Sequence, residues 1–427
     1  MSSLNETSKG MRTVIAVLGR RNAGKSSLIN ALVGFDLAIV SGVPGTTTDP
    51  VEKAVELNPL GPCLLIDTAG IDDDSELGAM RIQKTNQVLE NADIGLLVVG
   101  DGKITDYEED LVAALTLQKK PFIVVINKID LERYRGVEQT VQEKGWPYVL
   151  VSTVDGRGIA ALKDLIRNQK DAGRLEDPGL LDGIVKPGDM VVLVVPIDSG
   201  APKGRLILPQ VQTLRNVLDY QASALVVTEK ELAKQMDKLS SPPDLVITDS
   251  QAVLEVHQQL PDYIPLTTFS IIFSRYKGDL PSLAAGARTI DSLNNGDVVL
   301  IAEACTHHPF HEDIGRVKIP RWIRQFTGKD IDFQVAAGPA FPKDLKDYKL
   351  IVQCGGCTIT RRSYLNRMEQ AEQAGVPITN YGIAISYMQG VLDRTLSLFP
   401  ELQNEKRMSA RISFPKVSSV PFPGIAE

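Results

Sequence analysis

The chain is 427 residues long, 43% hydrophobic and 23% charged, the make-up of a globular protein with roughly two to four domains. Its 46 Lys plus Arg against 53 Asp plus Glu give a formal net charge of −7 and a pI of about 5.4, which argues against the broad basic face of a nucleic-acid binder. No apolar run reaches the ~18–20 residues of a membrane helix, and the opening MSSLNETSKG lacks the apolar core of a signal peptide. A cytoplasmic protein with neither nucleic acid nor membrane as partner is expected.

Residues 12–168 alternate short Val/Ile/Leu runs with helical stretches. Strands are expected at Val14–Leu18, Cys63–Ile66, Gly95–Val99, Phe122–Ile126 and Tyr148–Val151. Near-continuous apolar strands separated by helices predict a doubly wound, mostly parallel α/β sheet, assigned to residues 1–168. The first strand runs into Gly19-Arg20-Arg21-Asn22-Ala23-Gly24-Lys25-Ser26, which fits the P-loop pattern G-x-x-x-x-G-K-S/T in full, and a helical pattern beginning at Ser27 follows at once. Glycines let backbone N–H groups close around phosphate oxygens at a helix N-terminus. Lys25 is expected to reach the β/γ-phosphates and the Ser26 hydroxyl to hold Mg²⁺.

The remaining nucleotide motifs arrive in order. Pro44-Gly45-Thr46-Thr47-Thr48-Asp49 supplies a switch threonine, Thr47, for the Mg²⁺ shell. Asp67-Thr68-Ala69-Gly70 puts a carboxylate near the metal and the Gly70 amide at the γ-phosphate. Asn127-Lys128-Ile129-Asp130 ends a buried strand, with Asp130 placed to accept from guanine N1–H and its amine, so GTP and not ATP is the expected nucleotide. Ser152-Thr153 is a weaker match to the last base-contacting loop. After Gly70 stands Ile71, where signalling GTPases carry a water-orienting glutamine, so slow hydrolysis is expected. Asn22 and the P-G-T-T-x-D switch resemble the TrmE/Era branch of GTPases. That resemblance implies a K⁺ ion held by Asn22 beside the phosphates.

Residues 169–189, rich in Gly, Asp and Pro, read as a linker. A small α/β domain is expected over 190–266, with strands at 190–196, 223–228 and 244–248 and helices near 209–219, 229–239 and 250–259. A third α/β unit over 267–410 is expected to carry strands near 269–273, 297–303, 332–336 and 348–352, then helices near 360–374 and 382–398. Residues 411–427 form a Pro-rich tail.

Four cysteines and four histidines are present, and six of these eight lie between Cys305 and Cys357. Cys305-Thr306-His307-His308 follows one expected strand and Cys354-Gly355-Gly356-Cys357 another, and parallel sheets bind ligands at the carboxyl ends of their strands. Three readings stand: a zinc site on Cys305, His307, Cys354 and Cys357; a redox dithiol at C-x-x-C; and a 4Fe–4S cluster on three cysteines with its fourth iron open or held by histidine. Cys63, inside an apolar strand, reads as a small buried hydrophobe.

A GTPase joined to C-x-H and C-x-x-C resembles the FeFe-hydrogenase maturation GTPases of the HydF family, over essentially the whole chain. The segment Phe269-Ser270-Ile271-Ile272-Phe273-Ser274-Arg275-Tyr276-Lys277-Gly278-Asp279-Leu280 is similar to that family as well. The family pattern is C-x-H, a long gap, then H-C-x-x-C; here Gln353 stands where the pattern has histidine. The resemblance implies a homodimer, paired through residues 190–266, that binds a 4Fe–4S cluster on Cys305, Cys354 and Cys357 with His307 as candidate fourth ligand. It further implies a transient diiron precursor, made with two radical-SAM maturases and delivered to apo FeFe-hydrogenase. The alternative is a ribosome- or tRNA-associated TrmE/Era-like GTPase with a zinc-stabilised C-terminal domain.

Overall fold

The computed structural model describes residues 10, 12–34, 51–58, 60–68, 88–169, 179–197, 206–304, 313–338, 341–342, 344–357 and 359–402. The chain divides into two compact units, Met1–Asp177 and Pro178–Glu427.

The first unit is built on six strands: β1 (Thr13–Leu18), β2 (Val51–Leu57), β3 (Gly61–Asp67), β4 (Ile94–Val99), β5 (Phe122–Ile126) and β6 (Tyr148–Leu150). Their order is β2-β3-β1-β4-β5-β6. All neighbours are parallel except β2, which runs antiparallel to β3 at the edge. Side chains alternate across a strand, and β1 shows the result. Ile15 and Val17 enter one core with Leu28, Ile29, Leu32, Leu162 and Ile166. Val14, Ala16 and Leu18 enter another with Leu111, Leu115, Val137 and Val141. Helices therefore cover both faces, which is why the strands read as unbroken apolar runs. The P-loop follows β1, Asp67 ends β3, Asn127 follows β5 and Ser152 lies just past β6, so the sheet gathers the expected nucleotide residues at one edge.

The second unit holds two four-stranded parallel sheets. One has β7 (Met190–Val194), β8 (Ser223–Val227), β9 (Leu245–Thr248) and β10 (Leu266–Thr268) in the order β10-β9-β7-β8. The other has β11 (Val298–Ala302), β12 (Asp332–Ala336), β13 (Leu350–Gln353) and β14 (Ile378–Asn380) in the order β12-β11-β13-β14.

Two expectations need correction here. Residues 269–273 do not form a strand: they open the helix Phe269–Lys277, and β10 stops at Thr268. Thr268 is the N-cap, its hydroxyl accepting from the Ile271 N–H at 3.2 Å, and such caps fix where a helix begins. Phe269, Ile271, Ile272, Phe273, Ser274, Tyr276 and Lys277 are all buried, polar Ser274 and Lys277 among them, so burial does not follow the polar–apolar pattern that marks a surface helix. The described part of the expected linker, 179–189, is also packed. Leu180, Leu181 and Val185 are buried, and the Leu181 N–H donates to Asn216 Oδ1 at 2.9 Å.

Candidate functional site

Every turn of the P-loop is set by backbone geometry that the sequence encodes. Gly24 has φ +99° immediately before the helix Lys25–Val33, and a Cβ there would collide with the Asn127 side-chain amide. Only glycine allows that approach. Asn22 also sits in the left-handed region, at φ +64°, which asparagine tolerates better than most residues. The helix begins at Lys25, so its free N–H groups face the loop. Lys25 is buried, its ammonium donating to the carbonyls of Gly19 and, at 2.9 Å, Arg20. The Ser26 hydroxyl donates to Asp67 Oδ2 at 2.8 Å, bringing together two oxygens expected around Mg²⁺. Ser27, the next residue of the helix, is exposed.

The guanine-side residues converge on the same loop. Asn127 Nδ2 donates to the Ala23 carbonyl at 3.0 Å, and its buried Oδ1 has no partner. Lys128 Nζ reaches the Asn22 carbonyl at 2.5 Å. The buried Ser152 hydroxyl donates to Asp130 Oδ1 at 3.0 Å, fixing an otherwise exposed carboxylate. Thr153, half-buried, lies next to it. A glycine-lined cradle, a lysine at its mouth, a hydroxyl–carboxylate pair and an orphan amide oxygen fit a guanine nucleotide with Mg²⁺. Thr47 and Gly70 lie outside the described residues.

One support was not foreseen from the sequence. Arg20 Nε donates to Glu108 Oε1 at 3.0 Å, and the guanidinium also reaches the Thr105 hydroxyl and lies 5.5 Å from the Tyr107 ring centre. Glu108 in turn accepts from Thr105 N–H at 3.0 Å, closing a capping box at the start of the helix Asp106–Leu117. The motif T-x-x-E was the available signal.

In the second unit the thiols gather at the end of β13. Ala302 of β11 is in register with Gln353 of β13. The Cys354 N–H donates to Ala302 O at 2.9 Å, and the Ala304 N–H lies 3.1 Å from Cys354 Sγ. The chain therefore arrives beside Cys354 one residue before Cys305. Cys305 and His307 lie outside the described residues. Cys354 is partly buried and Cys357 exposed. Burial pushes the Cys354 thiol up, while the N–H groups of Gly356 and Ala304 oppose it. Gly356 has φ +62°, and its missing side chain leaves room for Tyr364, whose ring would lie 2.8 Å from a Cβ. Cys63 is fully buried in β3.

Around this turn lie Lys277, Arg367 and Glu303, which belong to none of the motifs, together with Gln353. Lys277 is buried and donates to Gly356 O at 2.5 Å and Ile359 O at 3.1 Å. Its pKa is pushed down to about 8 by burial, against the opposing pull of Cys357 and Cys354. Arg367, also buried, donates to Gly338 O at 2.9 Å and lies over Phe341. Gln353 is 1% exposed, and its amide lies beside the buried Tyr364 hydroxyl. Glu303, 2% exposed, is gripped by Arg316 through contacts of 2.7, 3.0 and 3.2 Å. Adjacent thiols and a nearby cation suit a thiolate-held metal centre. Among the described residues no group of three or more Cys, His, Asp and Glu closes on one point.

Comparison with known proteins decides the family. Residues 180–278 match the hydrogen maturase F dimerization domain and residues 281–398 the hydrogen maturase F tetramerization domain. The chain belongs to the HydF family. Residues 14–128 match a profile described as a 50S ribosome-binding GTPase. The tRNA modification GTPases MnmE of Heliobacterium modesticaldum and Koribacter versatilis are each 39% identical, over 37% and 40% of this chain and 34% and 37% of their own length. The chain thus spans little more than a third of these curated relatives. Among solved structures, the G domain of the T. maritima FeoB iron transporter is 26% identical over 37% of this chain and 98% of its own, with a TM-score of 0.30. Era of Aquifex aeolicus bound to GDP and AlF4⁻ is 21% identical over 50% and 93%, with a TM-score of 0.31. The chain therefore joins a GTPase domain to two HydF domains, one described as a dimerization and the other as a tetramerization domain. Among the described residues no helix is long and apolar enough to cross a membrane.

Proposed function

We propose that this chain is a cytoplasmic, GTP-hydrolysing scaffold that holds a 4Fe–4S cluster and carries the diiron precursor to apo FeFe-hydrogenase. The supporting observation is the Ala304 N–H 3.1 Å from Cys354 Sγ, in a chain that carries C-x-H directly after Ala304, C-x-x-C from Cys354, and both HydF domains. Cys305, Cys354 and Cys357 would hold three irons, with His307 or an exchangeable ligand at the fourth. The cluster would supply one iron at which cargo can dock and leave. The 180–278 region would pair two copies and the 281–398 region would build larger assemblies. The two radical-SAM maturases would load the cargo.

In the first unit, Gly19, Asn22, Gly24 and Ser27 would line the phosphate loop, with Lys25 on the β/γ-phosphates. Ser26, Thr47 and Asp67 would surround Mg²⁺, and Gly70 would sense the γ-phosphate. Asn127, Lys128, Asp130, Ser152 and Thr153 would hold the base, and Asn22 would hold K⁺. Ordering of the switch around GTP would time partner exchange.

Anaerobic reconstitution followed by iron, sulfide and zinc analysis tests this reading. The parent chain is expected to take up iron with sulfide, and Cys305→Ala, Cys354→Ala and Cys357→Ala each to lose most of it while still hydrolysing GTP. His307→Ala is expected to keep the cluster with an altered paramagnetic resonance. Stoichiometric zinc without sulfide would favour a zinc-stabilised TrmE/Era-like GTPase instead.

A further inference from the structure

Buried lysines are normally paired with carboxylates. Lys277, 1% exposed at the last turn of the helix Phe269–Lys277, takes part in none of the ion pairs among the described residues. Its ammonium instead donates to two carbonyls of one turn, Gly356 at 2.5 Å and Ile359 at 3.1 Å. Gly356 O also accepts from the Ile359 N–H at 3.2 Å. The ammonium therefore braces the Cys354–Ile359 turn from inside the protein, and Lys277 lies close enough to Cys357 and Cys354 to feel their charge. Arg367, 3% exposed and on the helix Arg361–Ala374, adds a second positive group that also feels Cys354.

Two thiolates brought onto one metal repel each other, and iron–sulfur centres held by cysteines carry net negative charge. A cation fixed behind the turn offsets both costs, and it acts strongly because little water screens it. Outer groups of this kind orient ligands and tune the centre.

We propose that Lys277 is a positioning residue for the metal centre: it holds the Cys354–Cys357 turn in its chelating shape and supplies the fixed positive charge that balances the thiolates. This rests on the cluster reading given above. Removing the charge should weaken metal retention by about ten-fold or more and make the reduction potential more negative, since the reduced, more anionic centre loses its counter-charge.

The test uses the full chain reconstituted anaerobically, as parent, Lys277→Gln and Lys277→Arg. Glutamine keeps a donor for the carbonyls without the charge; arginine keeps the charge. Iron release to a chelator and the midpoint potential by dithionite titration are measured, with thermal melting as the check on folding. Faster iron release and a lower potential in Lys277→Gln, both restored towards the parent in Lys277→Arg, are expected. Lys277→Gln with the parent's release rate and potential would overturn the proposal. So would folded glutamine and arginine variants that lose iron equally. A parent chain that takes up no iron and sulfide would overturn the cluster reading itself, whereas a loaded parent with indifferent variants overturns this inference alone.

Discussion

Glu303, directly after β11, forms an ion pair with Arg316 of the π-helical turn Ile314–Lys318. The Glu303 side chain is 2% exposed and that of Arg316 30%, with a shortest contact of 2.7 Å. Removing the arginine leaves a carboxylate buried without its cation. Breaking a fully buried pair costs about 3–5 kcal/mol, and the partial exposure of Arg316 moderates this, so Arg316→Ala is expected to destabilise the second unit by about 2–4 kcal/mol. Replacing both residues by methionine should recover much of that loss, since no charge is then stranded. The exposed pair Arg215–Asp219, at 75% and 45% exposure, provides the control, where Arg215→Ala should cost less than about 0.5 kcal/mol. The chain has two tryptophans, Trp146 and Trp322, one in each unit. Urea unfolding followed by Trp322 fluorescence in a Trp146→Phe background therefore reports the second unit by itself. An Arg316→Ala loss within about 0.5 kcal/mol of the control would refute the reasoning.

Asp130→Asn should weaken GTP binding by about 2–4 kcal/mol, through the loss of two charge-assisted hydrogen bonds, and xanthosine triphosphate should bind the variant better than GTP in direct titration. Equal affinity of the parent for ATP and GTP would undo that assignment. GTP hydrolysis at constant ionic strength is expected to run faster in K⁺ than in Na⁺, with Asn22→Ala abolishing the difference; a rate indifferent to the cation contradicts the role given to Asn22. His257 has its pKa lowered by burial and by Arg394, whose guanidinium lies 2.6 Å from Nδ1. The fold therefore takes up this proton less readily than the unfolded chain. Its contribution is complete above the ordinary value of 6.5 and is lost as pH falls below that towards the lowered value. Melting of the parent should drop more steeply between pH 7 and 5.5 (about the window in which histidine titrates) than melting of His257→Gln, and parallel curves would exclude this.

The nucleotide site was legible because each of its parts is a short run of chain at a strand end. Gly24, Ser26, Asp67 and Asn127 need only the right strand order to meet, and parallel strands with alternating helices supply it. The C-terminal half was less legible for a physical reason. Seven of the nine residues of Phe269–Lys277 are buried, and the apolar Phe269–Phe273 at its start is too short a run to tell a buried helix from a strand. β14, three residues long, and the antiparallel β2 left too little pattern to find. Lys277 and Glu303 act through tertiary partners 79 and 13 residues away, and no local spacing announces such pairs.

The helix Phe269–Lys277 also bears on how this chain can be recombined. It packs against Leu208–Asp219 of the first half of its unit and against Arg361–Ala374 and Tyr381–Met388 of the second, and the Asn380 amide reaches the Ser274 hydroxyl. The natural-looking junction between the two matched domains, 278–281, falls just after it. A chimera spliced there would take its C-x-x-C turn from one parent and the lysine beneath that turn from the other. Grafts that begin before Thr268, where β10 hands over to the helix, carry both from a single donor.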